Sequence, residues 1–282
     1  TVSVRFLSAI TTPAAWVAKF LFSPSNFSER SVNFLTRSSS FINFNNLGSL
    51  LNLLAEIEAL DKPIPFIFSS SCSVYGEAET LPITERAAIK PAISPYGNTK
   101  QVGEEILMDT VNALENFRVI SLRYFNPIGA HTSGMIGEAP IGIPNNIFPY
   151  ITQVAAGGLD ELTIFGNDWP TLDGTCIRDY IHISDLSELH LLGIEYLVNG
   201  GKSKILNCGY GVGFSVLEVI NKVKEISGKD FKVYYKPRRL GDPEFLVANN
   251  ELCIQTLGWK AKHNSLDEII EDSFMWEKKI NI

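Results

Sequence analysis

The sequence predicts an α/β fold: a parallel sheet with helices on both faces, followed by a smaller C-terminal α/β region. Three observations predict it. Helical apolar stripes alternate with short continuous apolar runs, the pattern of strands buried on both faces. Two helix-to-strand steps follow one another between Leu47 and Phe125, and two serine-led helix starts come later in the chain. With 282 residues, 45% apolar and 20% charged, the chain is long enough for a sizeable core and is not disordered as a whole.

Residues 1–40 mix Ser, Thr, Asn, Phe and Arg without a sustained period and yield no strand-loop-helix unit. Leucines at 47, 50, 51 and 54, with Ile57, form a helical stripe over Leu47–Leu60, and Pro65–Phe68 then reads as a buried strand. Ser94-Pro95 opens a helix over Tyr96–Asn112, because proline suits a first helical turn, and Val102, Ile106 and Met108 are expected to face the core. Phe117–Phe125 returns as a strand. A region rich in glycine and proline, 127–175, is too irregular to lie wholly in the sheet. Lys204–Asn207 reads as another strand, and Ser215-Val-Leu-Glu218 and Ser265-Leu-Asp-Glu268 each have the spacing of a capping box.

A formal net charge of −7 argues against a nucleic-acid partner, so a phosphate-bearing ligand has to be held by local arginines or backbone N–H groups. Cys72, Cys176, Cys208 and Cys253 show neither CxxC nor Cys/His spacing; they read as packing thiols of a cytoplasmic protein, and no metal site is expected. Phe6–Ala18 after Arg5 is superficially like a signal peptide, but Thr11, Thr12, Pro13 and Lys19 weaken that reading. No apolar run approaches the roughly 20 residues that span a bilayer, so no membrane role is expected. The chain starts at Thr, which suggests trimming, processing or truncation.

The chemistry gathers where a strand meets a helix. The strand ending at Phe68 runs into Ser69-Ser70-Ser71, at the carboxyl end where open parallel sheets keep their ligand crevice. Tyr96 and Lys100 are four residues apart and share one helix face. Bringing a phenol from pKa 10 to about 7 takes on the order of 4 kcal/mol. One cation at about 4 Å supplies roughly that much at an effective dielectric near 20. Tyr96, Lys100 and Ser71 are therefore the candidate catalytic residues, although a tyrosine and lysine at this spacing are usually just a solvated pair.

Three ordered segments change that reading: Ser69-Ser-Ser-Cys-Ser-Val-Tyr-Gly76, Ser94-Pro-Tyr-Gly-Asn-Thr-Lys100 and Arg123-Tyr-Phe-Asn-Pro-Ile-Gly129. In this series, continued through Asp173–His182, Asn207–Gly213 and Pro237–Asp242, the chain resembles UDP-glucose 4-epimerases of the extended short-chain dehydrogenase superfamily from about Asn45 onward. The resemblance implies a Rossmann-like fold and the interconversion of UDP-glucose and UDP-galactose in galactose metabolism, through NAD-mediated oxidation and re-reduction at sugar C4. It implies that Tyr96 is the base, that Ser71 assists at the 4-hydroxyl, and that Lys100 biases Tyr96 and holds a cofactor ribose. It places Asn45, Ser69, Tyr96, Lys100 and Phe125 at the NAD. It places Ser71, Asn126, Asn146, Ile147, Thr163, Phe165, Arg178, Tyr180, Arg239 and Asp242 at the UDP-hexose, and it implies a homodimer. The expected division is an atypical segment at 1–44, a dinucleotide-binding core at 45–126 with 174–208, and a nucleotide-sugar region at 127–173 with 209–282.

The family opens with a GxxGxxG turn, and residues 1–44 contain no such cluster, so the first part of the dinucleotide fold is expected to be missing. One alternative is thus an impaired fragment or a UDP-sugar-binding remnant. Another is a nucleotide-sugar dehydratase or reductase; the dehydratase is disfavoured because Cys72-Ser73 stand where dehydratases carry Asp-Glu. Gly209-Tyr-Gly-Val-Gly213 imitates a dinucleotide loop but has Phe214 where glycine is needed, and reads as a structural connection. His182, Tyr75 and Trp169 read as packing residues, and Leu246 as a position that sets which sugars fit.

Overall fold

The computed structural model describes residues 40–280 apart from 61, 141, 143, 145 and 240. The readings of residues 1–39, including the leader-like stretch, lie outside the described residues.

Helix α1 (Ser40–Ala59) leads to strand β1 (Ile64–Ser71), a 3-10 turn (Cys72–Tyr75) and helix α2 (Pro95–Ala113). Strand β2 (Phe117–Tyr124) follows, and helix α4 (Ile183–Val198) and strand β6 (Lys204–Cys208) complete the first layer set. The strands form a parallel sheet in the order β1-β2-β6, in register from Ile64↔Phe117 to Ser71↔Tyr124 and from Ile120↔Lys204 to Tyr124↔Cys208. Because side chains alternate along a strand, β2 serves both faces. Phe117 and Val119 pack with Leu50, Leu54 and Leu107 of α1 and α2, whereas Ile120 and Leu122 pack with Leu186 and Leu189 of α4. The expected parallel sheet with helices on both faces is therefore present.

The rest builds a second region. Strand β3 (Asn126–Ile128) pairs in parallel with β5 (Ile177–His182), which also pairs with β7 (Gly213–Ser215) and β9 (Phe245–Leu246). Strand β4 (Leu162–Phe165) pairs with β8 (Val233–Lys236). Helices α3 (Ile147–Ala156), α5 (Val216–Ser227) and α7 (Leu266–Ile280) share a core with β4 that includes Ile151, Leu162, Ile164, Val219, Ile220 and Ile270. Helix α6 (Glu251–Leu257) closes on β6, with Cys253 fully buried.

Local chemistry explains most boundaries. Ser94 caps α2 by accepting from Gly97 N at 3.0 Å, with Pro95 in the first turn. Ser215 and Glu218 form a complete capping box on α5. At α7 the expected box is half made: Ser265 Oγ accepts from Glu218's counterpart, Glu268 N, at 3.5 Å, while the Glu268 carboxylate faces His263 Nδ1 at 2.6 Å. Two further details differ from expectation. On α2 the buried row is Gly97, Thr99, Gly103, Glu104 and Leu107, while Met108 is exposed; a Cβ at Gly103 would lie 2.8 Å from Phe68 of β1 and one at Gly97 3.0 Å from the Ser73 carbonyl, so the helix approaches closely at those two positions. The irregular 127–175 region contains α3, β4 and most of β3.

The glycine-rich stretch after β6 is a turn filled by the chain's own carboxylate. Asp179 Oδ1 accepts from Tyr210 N at 2.8 Å, and Oδ2 accepts from Gly211 N at 2.9 Å and Ala248 N at 3.1 Å. A Cβ at Gly209 would lie 2.5 Å from that Oδ2, so the turn closes only on glycine. Burial raises the Asp179 pKa to about 6, against the pull of the three N–H donors. All four cysteines are free and buried. His182 is buried, stacked 4.8 Å from the His263 ring and 3.4 Å from Asp272 Oδ2; burial holds its pKa below the ordinary value.

Candidate active site

Parallel pairing puts the carboxyl ends of β1 and β2 side by side, and α2 begins directly above them. Ser71 ends β1 and caps the 3-10 turn. Its Oγ accepts from Ser73 N at 3.2 Å and from Ser73 Oγ at 3.0 Å. With two acceptor positions engaged, the Ser71 hydroxyl keeps its proton for donation. Tyr96 lies near enough for the Ser71 hydroxyl to act on its phenol. Burial raises the Tyr96 pKa, Ser71 lowers it, and Cys72 adds a smaller rise.

Lys100 Nζ donates to the Ser69 carbonyl at 2.7 Å and sits 5.4 Å from the centre of the Tyr96 ring and 5.1 Å from that of Phe68. Burial lowers its pKa. The structure therefore brings Ser69, Ser71, Tyr96 and Lys100 together. The Tyr96 phenol differs from the electrostatic expectation: burial raises its pKa more than the Ser71 hydroxyl lowers it, and the Lys100 ammonium is engaged by the Ser69 carbonyl.

Beside Lys100 is a recess of about 220 Å³ lined by Asn45, Asn46, Leu47, Phe68 and Thr99 among others. Asn45 is exposed, whereas Asn46, which the sequence reading passed over, donates to Thr99 Oγ1 at 3.2 Å. Its signal was available, since Asn46 lies four and eight residues before the buried Leu50 and Leu54. Tyr124, also passed over, touches Ser69 Oγ at 2.6 Å and His190 Nε2 at 2.6 Å. The Phe125 ring is buried in a small core with Cys72, Val74, Tyr75 and Ile83. A larger recess of about 400 Å³, with Tyr210, Phe214 and Trp259 in its wall, holds none of the catalytic, cofactor or sugar residues expected from the sequence.

The remaining residues lie in the second region. Asn126 starts β3 opposite Tyr180 of β5, and its Nδ2 donates to Asp179 O at 3.4 Å. Arg178 is 8% exposed, with Nη1 donating to the Ile177 carbonyl at 2.8 Å. Its charge opposes the burial that pushes the Cys72 pKa up to about 12, so Arg178 acts electrostatically on the residue next to Ser71. Tyr180 OH is buried without a hydrogen-bond partner among the described residues, and burial pushes its pKa up. Thr163 and Phe165 lie on β4, with the Arg239 guanidinium 4.0 Å from the Phe165 ring centre. Arg238 instead stacks on Trp169 at 4.1 Å and pairs with Asp168 at 2.7 Å. Asp242 N donates to Arg239 O at 3.3 Å. Asn146 is exposed at the cap of α3, without a side-chain capping bond, and Ile147 begins that helix. Among the described residues no group of His, Cys, Asp or Glu could hold a metal ion, and no helix is long and apolar enough to cross a membrane.

Residues 31–209 match the family described as "Epimerase: NAD dependent epimerase/dehydratase family". The chain belongs to that family. Among NAD dependent epimerases it is similar to a Bacillus subtilis UDP-glucose 4-epimerase, 47% identical over 211 residues that make up 75% of this chain and 62% of the relative. A Drosophila melanogaster UDP-glucose 4-epimerase is 44% identical over 81% of this chain and 65% of its own length. The chain thus spans less than two thirds of both relatives. A crystal structure of UDP-glucose 4-epimerase from Stenotrophomonas maltophila, with bound NAD and formylated UDP-arabinopyranose, superposes with a TM-score of 0.81 at 40% identity, covering 84% of this chain and 70% of that one.

Proposed function

We propose that this chain carries the chemistry of a nucleotide-sugar C4 epimerase that interconverts UDP-glucose and UDP-galactose. The observation that carries the reading is the gathering of Tyr96, Ser71 and Lys100 at the end of a parallel strand, in a family whose members here are UDP-glucose 4-epimerases. The ammonium of Lys100 suits the ribose end of NAD, and Asn46 is fixed beside it by its bond to Thr99 Oγ1, whose own proton goes to the Tyr96 carbonyl at 2.7 Å. When bound, NAD supplies the hydride acceptor and donor at sugar C4.

On this reading Tyr96 takes the proton of the 4-hydroxyl and returns it after the sugar presents its other face, so one residue serves as base and then as acid. Ser71, its own acceptor positions filled, donates to the oxygen that loses the proton. Lys100 keeps positive charge beside the phenolate while it exists. Arg178, Arg239, Asn126, Asn146, Ile147, Thr163, Phe165, Tyr180 and Asp242 are proposed for the UDP-sugar. The guanidinium groups suit a diphosphate in a chain of net negative charge.

The proposed division keeps 45–126 with 174–208 on the cofactor side and 127–173 with 209–282 on the sugar side. Apolar side chains left exposed on α1 (Phe44, Leu51 and Leu53) and α2 (Met108) support self-association as a homodimer. Four free thiols suit a reducing compartment such as the cytoplasm.

The test is conversion of UDP-galactose to UDP-glucose by the purified chain with NAD supplied. Tyr96→Phe should lower turnover by about 10²–10⁴-fold without changing the unfolding midpoint. Conversion that survives this substitution would remove Tyr96 from its role. Binding of the nucleotide sugar without any turnover would favour the second reading, a UDP-sugar-binding remnant.

A further inference from the structure

Beneath the Tyr96–Lys100 pair lies a buried ionic cluster that the proposed chemistry does not use. Glu104 is on α2, one turn beyond Lys100 and two beyond Tyr96. Its carboxylate receives Arg123 through two bonds, Nε to Oε1 at 2.9 Å and Nη2 to Oε2 at 2.5 Å, and Ser70 Oγ donates to Oε1 at 2.5 Å. Ser70, Glu104 and Arg123 are at most 6% exposed. Ser70 and Arg123 are direct partners in the β1–β2 ladder, so one carboxylate clips α2 to two neighbouring strands. The Arg123 guanidinium lies 4.6 Å from the Tyr75 ring centre, and Tyr75 OH donates to Asn207 Oδ1 at 2.6 Å, which extends the cluster to β6.

We infer that Glu104 is a positioning residue: through Ser70 and Arg123 it sets where α2 lies along the sheet, and so where Tyr96 meets Ser71. Resting on the epimerase reading for its catalytic meaning, the inference has a separate geometric basis. Ser70 stands between Ser69, whose carbonyl holds Lys100, and Ser71, whose hydroxyl favours the Tyr96 phenolate. The clip therefore grips the peptide between the two contacts that the pair makes. The other buried residues in this half of α2 are Gly97, Thr99 and Gly103, whose small surfaces contribute little to fixing an axial position. A bidentate arginine–carboxylate pair has a narrow geometry, and a slip of one residue would carry α2 about 1.5 Å along its axis.

The experiment separates positioning from stability. Replacing both charges together, Glu104→Met with Arg123→Met, removes the clip without leaving a lone buried charge, whereas Glu104→Met alone leaves Arg123 uncompensated. In each background, 3-fluorotyrosine placed at position 96 makes the phenol more acidic and lets its ionisation be followed by ¹⁹F NMR. The expected result is that the double variant unfolds within a few degrees of the parent, yet its position-96 midpoint rises by roughly half a pH unit or more, because Ser71 no longer favours the phenolate. A folded double variant with the parent's midpoint overturns the inference. If the double variant does not fold, Glu104→Asp, which keeps the charges but shortens the reach, must raise the midpoint, and an unchanged value there overturns it equally. The titration needs no turnover, so a chain that shows the shift but converts no nucleotide sugar keeps the clip and loses the epimerase reading.

Discussion

The Asp179 carboxylate offers the sharpest test of how the second region is held to the sheet. It is fully buried, accepts three backbone N–H bonds, and joins β5 to the turn after β6 and to the segment after β9. Asp179→Asn keeps the shape, loses the charge, and sets an amide NH₂ against at least one N–H donor. The cost should be about 1–3 kcal/mol at pH 7, the scale of one buried N–H donor left unsatisfied. The pH dependence is more diagnostic. Burial raises the folded-state pKa from 3.8 to about 6, so between those values the folded chain binds a proton that the unfolded chain has released. The contribution of this group is therefore fully present below about pH 4 and is lost as pH rises through 6, by on the order of 3 kcal/mol for a two-unit shift. Urea unfolding of the parent and Asp179→Asn, followed by tryptophan fluorescence from pH 4 to 7.5, should show the parent's advantage shrinking as pH rises. An advantage that stays flat or grows with pH would refute the reasoning, since it would mean that the three N–H donors outweigh burial.

Two stability predictions join those for Tyr96 and for the Glu104–Arg123 pair. Leu107→Ala should cost about 2–5 kcal/mol in denaturant unfolding, because Leu107 is fully buried between α1 and β2 among Leu50, Leu54, Phe117 and Val119. Ser215→Ala should lower stability by about 1–2 kcal/mol by the same measurement, since its hydroxyl accepts Glu218 N at 3.0 Å in the capping box and also donates to Asp173.

Much of the architecture was legible because its causes are local. Ser94-Pro95 and Ser215–Glu218 announce helix starts through bonds made within a single turn, and at β2 Phe117, Val119, Ile120 and Leu122 supply apolar side chains to both faces, which suits a strand between two layers of helices. The order of the serine, tyrosine and lysine segments also pointed to one strand end. The short strands β3, β7 and β9 were not legible, because two or three residues carry no periodicity and exist as strands only by pairing with β5. Tyr124 was not legible because its partner, His190, is distant in sequence.

The residue types and spacings alone determined that a phenol and an ammonium share a helix face near a run of serines. Only the tertiary structure decided how they interact. It turned Lys100 toward the Ser69 carbonyl, left the Tyr96 phenol above its ordinary pKa, and filled the glycine-rich turn with Asp179. Hydrogen-bond choices and burial are set by what the rest of the chain brings alongside each group, and a spacing of four residues holds no information about that.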